Sequence, residues 1–387
     1  MNKNSYICNY IKNNPDAWQD DMVNKFDIKM KTIEPYTIFN YSISPDFSNP
    51  IVQEARGIII NTDTLEVVCW PFRKFGKYYE DYSDKIDWKT AKVQEKLDGS
   101  IIKLWYNNLN DEWVYSTNSM IFAKDSYISM EKNISFMNLI ESASNYKNIG
   151  YDKLDKDSTY IFELTSPDKQ IVITYDETKL YHIGTRNNKT GQEFNINIGI
   201  DKPRYYDLHS LDDCISVVTN SLNKYNDKIK SCNTEGFVVV DANYNRVKIK
   251  SPIYVILHNI IRDSNKSRLL LLELLYKNEI DVSSLSIQFP KLATALKYYD
   301  YRMTELLNGI DIFIERVRYI YKSSGYNRKE IALIIKNHPW ASIGFKSLDN
   351  DLTSKELLLE FDKRGIAYTL DKFIPNYDKI NIYISNN

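Results

Sequence analysis

Cysteine and histidine are scarce in this chain of 387 residues, with four residues of each type. The cysteines are Cys8, Cys69, Cys214 and Cys232. No two of them form a Cys-x-x-Cys pair, and none stands at metal-ligand spacing from a histidine, which favours a reducing compartment. The histidines form no cluster in the sequence either, and we interpret them as structural.

Long apolar runs and an excess of charge are also absent. No run could cross a bilayer, and the N-terminus lacks the apolar segment of a secretory signal. We therefore expect a cytoplasmic protein without a membrane partner. The 50 Lys and Arg residues balance 51 Asp and Glu residues, for a formal net charge of −1. This balance does not exclude a nucleic-acid enzyme, which needs positive charge only along its substrate groove.

Tyrosine, in contrast, is abundant at 30 residues, and the hydrophobic fraction of 43% is enough for a large core. Most of the tyrosines are expected in the core or on amphipathic surfaces, although some could stack on unpaired bases. The length predicts two or three domains.

The most informative motif is Lys-Leu-Asp-Gly-Ser at residues 96–100, between β-rich runs at 91–94 and 101–106. A lysine before a tight Asp-Gly turn can present its amine at the mouth of a pocket, so Lys96 is a candidate nucleophile. The motif alone is ambiguous, because Asp-Gly is also a common hairpin turn. Its partners farther along the chain decide between these interpretations.

Those partners follow in a fixed order. Glu163 lies in the apolar stretch 160–164, and Glu235 opens the run Glu-Gly-Phe-Val-Val-Val. Strand-like alternation then places Lys248 and Lys250 on one face, opposite apolar residues. Each segment has an ordinary explanation, as a strand end, a turn or an edge strand. Their occurrence together in this order favours an active site.

These segments resemble the covalent nucleotidyltransferases, which include ATP-dependent ligases and capping enzymes. More closely, they resemble the RNA ligase 1 family of T-even bacteriophages, over about the first two-thirds of the chain. The matching segments are residues 36–41, 54–58, 71–75, 96–100, 162–167, 171–175, 235–237 and 248–251, followed by Tyr254 and His258. The resemblance implies an α+β nucleotidyltransferase (ATP-grasp-like ligase) domain of antiparallel sheets with helices at residues 1–258.

The resemblance also implies an activity, that of an ATP-dependent RNA ligase from a virus or phage. Lys96 would form a lysyl-AMP, and the AMP would activate a 5′-phosphate for attack by a 3′-hydroxyl. Lys248, Lys250 and a bound metal would favour the neutral amine and stabilise the departing pyrophosphate. The implied cofactors are ATP and Mg²⁺ (or Mn²⁺). The implied partner is RNA with 5′-phosphate and 3′-hydroxyl ends, with cleaved tRNA in RNA repair as the leading candidate.

The family assigns further roles position by position. The ATP-binding residues would be Tyr41, Arg56, Lys74, Glu163, Ile183, Val238, Lys248 and Lys250. Arg56 and Lys74 would grip the phosphates, and Glu163 would hold the ribose hydroxyls. Ile183 and Val238 would enclose the adenine, although both could equally be ordinary core residues.

Two further roles and three departures complete the comparison of motifs. Glu235 would help to hold the water shell of the metal, and Tyr254 would act in RNA sealing.

Thr-Asn-Ser at 117–119 stands where the family commonly has a basic residue, which puts one phosphate contact in doubt, and Gly76 replaces an aromatic residue. An acidic, metal-associated position of the family's C-terminal domain has no clear counterpart. The candidates for it are Glu279 and Asp281.

The last third of the chain has a different pattern. Apolar residues recur at alternating steps of four and three between residues 291 and 322, which predicts one long helix packed in a bundle. Two capping boxes predict shorter helices after it: Asn327 with Glu330, and Thr353 with Glu356. We therefore expect an all-helical domain at residues 259–387, which the family analogy makes an RNA-substrate module.

Two other functions remain open. A DNA ligase or a capping guanylyltransferase would use the same lysine chemistry, but each usually carries an OB-fold where this chain predicts helices. A non-catalytic RNA-end-binding protein would not need intact Lys96, Glu235 and Lys248. The sequence does not give the oligomeric state or the identity of the RNA.

Overall fold

The computed structural model describes residues 5–42, 45–129, 134–169, 171–220, 234–261, 265–277, 280, 282–288, 292–349, 352–360 and 366–374. Within these ranges the chain divides into two compact units. The first unit holds the described residues up to Val218 together with Thr234–Ser251, and the second holds residues 219–220 and those from Pro252 onward. The two capping-box helices, the long helix and the motif strands all fall within described ranges.

The first unit is built mainly of antiparallel strands. Its strands are β1 (Ile28–Ile33), β2 (Tyr36–Tyr41), β3 (Arg56–Asn61), β4 (Glu66–Cys69), β5 (Lys92–Glu95), β6 (Ser100–Asn107), β7 (Glu112–Thr117), β8 (Tyr127–Ser129), β9 (Ile134–Ser135), β10 (Ser158–Thr165), β11 (Lys179–Asn187), β12 (Glu193–Phe194), β13 (Tyr205–Tyr206), β14 (Gly236–Val240) and β15 (Arg246–Lys250). Helices α1 to α5 accompany them: α1 (Tyr6–Asn13), α2 (Trp18–Asn24), α3 (Pro50–Glu54), α4 (Phe136–Ser142) and α5 (Leu211–Asn220).

The strands form three main sheets and one two-stranded ribbon. Sheet one has the order β1-β2-β3-β4, sheet two the order β12-β11-β10-β6-β7, and sheet three the order β13-β5-β14-β15; β8 pairs with β9. All of these pairings are antiparallel. The predicted α+β class with antiparallel sheets is therefore confirmed.

Hydrophobic packing explains why β3 is apolar without alternation. Ile58 and Ile60 pack into a cluster with helices α1 to α3, whereas Ile59 packs into a second cluster with Trp105 of β6. All three isoleucines are completely buried. A strand covered on both faces keeps apolar residues at successive positions, because neither face meets water.

The motif at residues 96–100 connects two different sheets. β5, which precedes Lys96, belongs to sheet three, and β6, which begins at Ser100, belongs to sheet two. The two strands are not paired with each other, so the Asp-Gly step is not a hairpin turn. The motif instead carries the chain across the space between two sheets.

The described part of the second unit consists of helices and contains no strand. Its helices are α6 (Pro252–Ile261), α7 (Asn265–Tyr276), α8 (Val282–Gln288), α9 (Ala293–Ser323), α10 (Arg328–Ile335), α11 (Ala341–Lys346), α12 (Ser354–Glu360) and α13 (Ile366–Asp371). Helix α9 confirms the predicted long helix, with Leu296, Met303 and Ile310 on its buried face. The capping boxes are also confirmed, because Glu330 accepts from Asn327 N–H and Glu356 from Thr353 N–H.

Two simpler expectations concern cysteine and the membrane. Cys8, Cys69 and Cys214 are buried free thiols, and Cys232 lies outside the described residues. Among the helices that the structure describes, none combines the length and the apolar character that crossing a bilayer requires.

Candidate active site

A cavity of about 540 Å³ in the first unit collects most of the predicted site residues. Its walls come from all three main sheets and from the segment after β4. Seven of the predicted residues line it: Arg56, Lys96, Glu163, Ile183, Val238, Lys248 and Lys250. These residues are up to 194 positions apart (250 − 56) in the sequence, so the fold alone brings them together.

Lys96 is held at the wall of this cavity by main chain and side chain together. Its backbone N–H donates to the Gly236 carbonyl at 2.8 Å, which continues the pairing of β5 with β14. Its ammonium Nζ donates to a carboxylate oxygen of Glu235 at 2.6 Å. The candidate nucleophile is therefore held in place by a main-chain hydrogen bond and by an ion pair.

Glu235 also binds a second lysine. Its other carboxylate oxygen lies 2.6 Å from the Lys250 ammonium, and the Glu235 side chain is only 4% exposed. Burial by itself would raise the pKa of Glu235, but the ammoniums of Lys96 and Lys250 outweigh it and hold that pKa below its ordinary value. A buried carboxylate thus bridges two lysines that line the same cavity.

Lys248 and Lys250 share one face of β15, as the alternation predicts, while Val247 and Ile249 lie in the core. β15 is an edge strand of sheet three, yet both lysines line the cavity. The Lys248 backbone N–H donates to the carbonyl of Gly76 at 3.1 Å. Lys248 and Lys250 therefore do stand on an edge strand, as the ordinary explanation requires. That explanation does not account for their position in the lining of the cavity.

Lys248 has the most strongly shifted lysine pKa of the site. Burial, and after it the neighbouring charges of Lys74, Arg56, Lys96 and Lys250, lower its pKa to about 6. Burial also lowers the pKa of Lys250, although Glu235 opposes that shift. The site therefore concentrates positive charge that an incoming anion would neutralise.

Glu163, Ile183 and Val238 stand on three strands around the cavity. Glu163 lies on β10, and burial raises its pKa to about 7, with the charge of Glu235 adding to the rise and Lys96 and Arg56 opposing it. Ile183 on β11 and Val238 on β14 belong to different sheets, and both face the cavity. Two apolar side chains on separate sheets suit a flat, apolar-faced group such as a nucleobase.

Arg56 lines the cavity, whereas Tyr41 and Lys74 do not. The guanidinium carbon of Arg56 lies 5.1 Å from the centre of the Phe75 ring. The Lys74 ammonium lies 5.2 Å from the Tyr41 ring centre and 4.7 Å from that of Phe47. Lys74 still contributes charge, since it is among the groups that lower the pKa of Lys248.

Asp98 and Gly99 of the motif have structural roles that spacing alone does not reveal. The buried Asp98 carboxylate accepts the backbone N–H groups of Val172 and Ile173 at 2.8 and 2.9 Å. The Asp98 N–H donates to the Tyr175 hydroxyl at 2.8 Å. A Cβ at Gly99 would collide with the Leu164 carbonyl. The motif thus fixes its own course against two neighbouring segments.

The cavity wall at residues 117–119 is neutral, as the sequence indicates. The cavity is also lined by Lys169, a residue that the sequence did not point to. Burial lowers the pKa of Lys169, and its ammonium lies 4.9 Å from the Phe136 ring centre. No pattern in the sequence singles out Lys169, because it ends a single turn of 3-10 helix, Pro167–Lys169, outside the regular strands.

The described residues contain no cluster of three or more His, Cys, Asp or Glu side chains that could hold a metal ion. Both oxygens of Glu235 already accept from lysines. A divalent ion would fit here only if nucleotide phosphates and water supplied most of its ligands, which is the usual arrangement for Mg²⁺. Glu279 and Asp281 lie outside the described residues.

Tyr254, the predicted sealing residue, belongs to the second unit rather than to this cavity. It is buried on α6, and its ring stacks on His258, with 5.7 Å between ring centres and 26° between planes.

Antiparallel sheets therefore surround a cavity that carries lysines, arginines and carboxylates. A family model described as RNA ligase matches residues 54–254, which is more than half of the chain. The chain therefore belongs to the RNA ligase family, as the motifs predict. The matched range contains every cavity-lining residue named above.

Individual relatives agree with this family. The chain is 29% identical over 93% of its length to a candidate bifunctional polynucleotide kinase/RNA ligase of Autographa californica nuclear polyhedrosis virus, and it spans 53% of that protein. It is 24% identical to an RNA ligase of Rhodothermus phage RM378, over 85% of this chain and 90% of that one. The chain thus spans about half the length of the baculovirus relative.

Among solved structures, form 2 of an archaeal ATP-dependent RNA ligase has a TM-score of 0.44 at 12% identity and covers 79% of this chain and 82% of that chain. A DNA ligase candidate from Aquifex aeolicus has a TM-score of 0.41 at 12% identity and covers 80% of both chains.

Proposed function

We propose that this protein is an ATP-dependent RNA ligase that joins a 5′-phosphate to a 3′-hydroxyl through a lysyl-AMP on Lys96. The observation that carries the proposal is the contact of the Lys96 ammonium with Glu235 at the wall of a cavity lined by Arg56, Lys248 and Lys250. A nucleophile, a carboxylate that holds it in place and a set of cations for phosphate therefore meet in one place.

In the first step, the Lys96 amine attacks the α-phosphorus of ATP. A P–N bond forms, the bond to the bridging oxygen breaks, and pyrophosphate leaves. Lys96 reacts as the neutral amine, after its proton has passed to water. Glu235 holds the Lys96 nitrogen at the cavity wall, and Lys248, Lys250 and Arg56 balance the charge of the departing pyrophosphate. Ile183 and Val238 would enclose the adenine, with Glu163 at the ribose hydroxyls.

In the second step, an oxygen of the RNA 5′-phosphate attacks the same phosphorus, and the P–N bond to Lys96 breaks. The product is an RNA with AMP joined to its 5′ end through a pyrophosphate bond. In the third step, a 3′-hydroxyl attacks the 5′-phosphate, a phosphodiester forms and AMP leaves. Tyr254 is proposed to act in this sealing step.

The cofactors of this reaction are ATP and a divalent metal, with Mg²⁺ the first choice and Mn²⁺ an alternative. A bound metal would supply positive charge at the phosphate oxygens during both nucleotidyl transfers. Glu235 is the residue proposed to reach it through water. We further propose that the RNA is cleaved tRNA, that the role is repair in the cytoplasm, and that a virus or phage encodes the protein.

The enzyme is proposed to have two domains, an adenylyltransferase domain at residues 1–258 and an RNA-substrate module at residues 259–387. The described residues of this module form helices without a strand, which supports RNA ligase over the OB-fold-bearing DNA ligases and capping enzymes. A chain of about residues 1–260 keeps every cavity residue and Tyr254. It should still accept AMP on Lys96 but seal a nicked anticodon stem-loop more slowly than the full chain.

Labelling with α-³²P-ATP tests the central claim. With Mg²⁺ present, the protein should acquire a label that survives alkali and is released by acid, as a phosphoramidate is, and GTP should label it poorly. Lys96→Ala should abolish labelling, and Lys89→Ala, which changes an exposed lysine of the same unit, should not.

Discharge of the labelled protein then separates the candidate functions. Transfer of AMP to 5′-phosphorylated RNA supports the RNA ligase, whereas transfer to nicked DNA only supports the DNA ligase. Preferential labelling by GTP supports a capping enzyme. RNA-end binding without any labelling would leave the non-catalytic interpretation standing and overturn the proposal.

A further inference from the structure

Arg56 enters the cavity from a β-bulge. In the pairing of β2 with β3, Asn40 faces Arg56 and Phe39 faces Ile58, so Gly57 is an extra residue without a partner in β2. Gly57 has no partner in β4 either. Its φ of +82° is the left-handed conformation that glycine adopts readily. Bulges of this kind redirect the side chain beside them and are frequent next to active sites.

Lys103 lies directly against this bulge. It is a residue of β6 in sheet two, and it is 0% exposed. Its ammonium donates to the Gly57 carbonyl at 2.5 Å, so a side chain from one sheet holds the main chain of another. A Cβ at Gly57 would lie 2.6 Å from the same ammonium, which leaves no room for any other residue there.

Packing alone does not explain a lysine at this position. No carboxylate of the described residues lies within ion-pair distance of Lys103. Burial lowers its pKa to about 8, with Arg56 adding to the fall and the thiol of Cys69 opposing it. An apolar side chain would fill the same space without the cost of burying a charge. What the apolar side chain would lack is the donor for the Gly57 carbonyl.

We propose that Lys103 is a positioning residue for Arg56. By binding the carbonyl of Gly57, the extra residue of the bulge, it fixes the direction in which Arg56 enters the cavity. The assignment of the nucleotide as the ligand of Arg56 rests on the proposed function. The contact between Lys103 and Gly57 is seen in the structure and does not depend on that function. Lys103 itself touches no reacting atom in this scheme.

A double-mutant cycle tests this role. Lys103→Met keeps the length of the side chain and removes the donor, and Arg56→Ala removes the group that is being positioned. If Lys103 acts through Arg56, each single variant should raise the KM for ATP in Lys96 adenylation by about tenfold, with a smaller effect on kcat. The double variant should then be no worse than Arg56→Ala alone.

Independent effects would overturn the proposal. If the double variant shows the product of the two single effects, or if Lys103→Met leaves the KM for ATP unchanged, Lys103 is only a structural residue. Where Lys103→Met does not fold, Lys103→Leu, which also removes the donor, takes its place in the same cycle.

Hydrogen exchange of the ATP-free protein keeps this test separate from the proposed function. Lys103→Met should speed exchange at residues 56–58 more than at the far end of β3, and unchanged exchange at 56–58 would overturn the positioning role. If exchange changes as expected but Arg56→Ala does not affect ATP use, then the assignment of Arg56 to the nucleotide fails rather than the role of Lys103.

Discussion

The carboxylate of Glu235 contacts the ammonium of Lys96 at 2.6 Å across 139 residues of sequence. The same carboxylate holds Lys250 at 2.6 Å from its other oxygen. Glu235 therefore does more in this structure than the metal-associated role that the family resemblance implies. It fixes the candidate nucleophile and one of its neighbouring cations relative to each other before any ligand binds.

Replacing Glu235 should consequently impair both adenylation and stability. Glu235→Gln removes the charge between two lysines, and we expect single-turnover adenylation to slow by roughly a hundredfold. The unfolding free energy should fall by about 2–3 kcal/mol, because a largely buried ion pair loses one partner. Rapid-quench labelling and urea unfolding measure the two effects.

Glu235→Asp provides the matched control. It keeps the negative charge, but its side chain is too short to contact Lys96 and Lys250 as Glu235 does. It should recover more of the stability than of the adenylation rate. Equal adenylation by wild type and Glu235→Gln would contradict the role of the carboxylate in positioning Lys96.

Lys248 should make ATP binding depend on pH. Its pKa of about 6 leaves it mostly neutral at pH 7, and a bound polyphosphate would favour its charged form. Binding should then take up roughly one proton, and affinity should weaken as pH rises above 6. Calorimetry in buffers of different ionisation enthalpy measures the uptake. Lys248→Met should lose it, and comparison of the two proteins cancels the proton that ATP itself exchanges.

The sequence predicts the local features of this chain well. The strand alternation of Lys248 and Lys250, the long helix α9 and both capping boxes depend on residues close together in the chain, so periodicity and spacing reveal them. The contact of Asp98 with Val172, the bridge from Glu235 to Lys96, and the contact of Lys103 with Gly57 depend on how separate sheets pack. No local pattern records such packing, and Lys103 in particular sits in a strand like an ordinary polar residue.

Gly99 should be intolerant of any side chain. A Cβ there would collide with the Leu164 carbonyl of β10, which is main chain and cannot move aside easily. Gly99→Ala should therefore lower the unfolding free energy by about 2 kcal/mol and displace Lys96 enough to reduce adenylation strongly. Gly150→Ala is the control, because its nearest neighbours lie 3.5 Å away, and it should stay within about 0.5 kcal/mol of wild type. Similar melting of the two variants would contradict the close packing of the motif against β10.

Glu163 should destabilise the protein increasingly as pH rises from about 4.5 to 7. Burial raises its pKa from 4.5 to about 7, so across this window the folded state keeps a proton that the unfolded state has lost. Stability contributed by this proton is present at low pH, is lost as pH rises through the window, and stays constant above it. Glu163→Gln has no such proton to lose. The difference in melting temperature, variant minus wild type, should therefore grow between pH 4.5 and 7 and then level. Glu112→Gln, at the exposed start of β7, controls for the substitution itself. A difference that shrinks with rising pH would mean that Lys96 and Arg56, rather than burial, dominate the environment of Glu163.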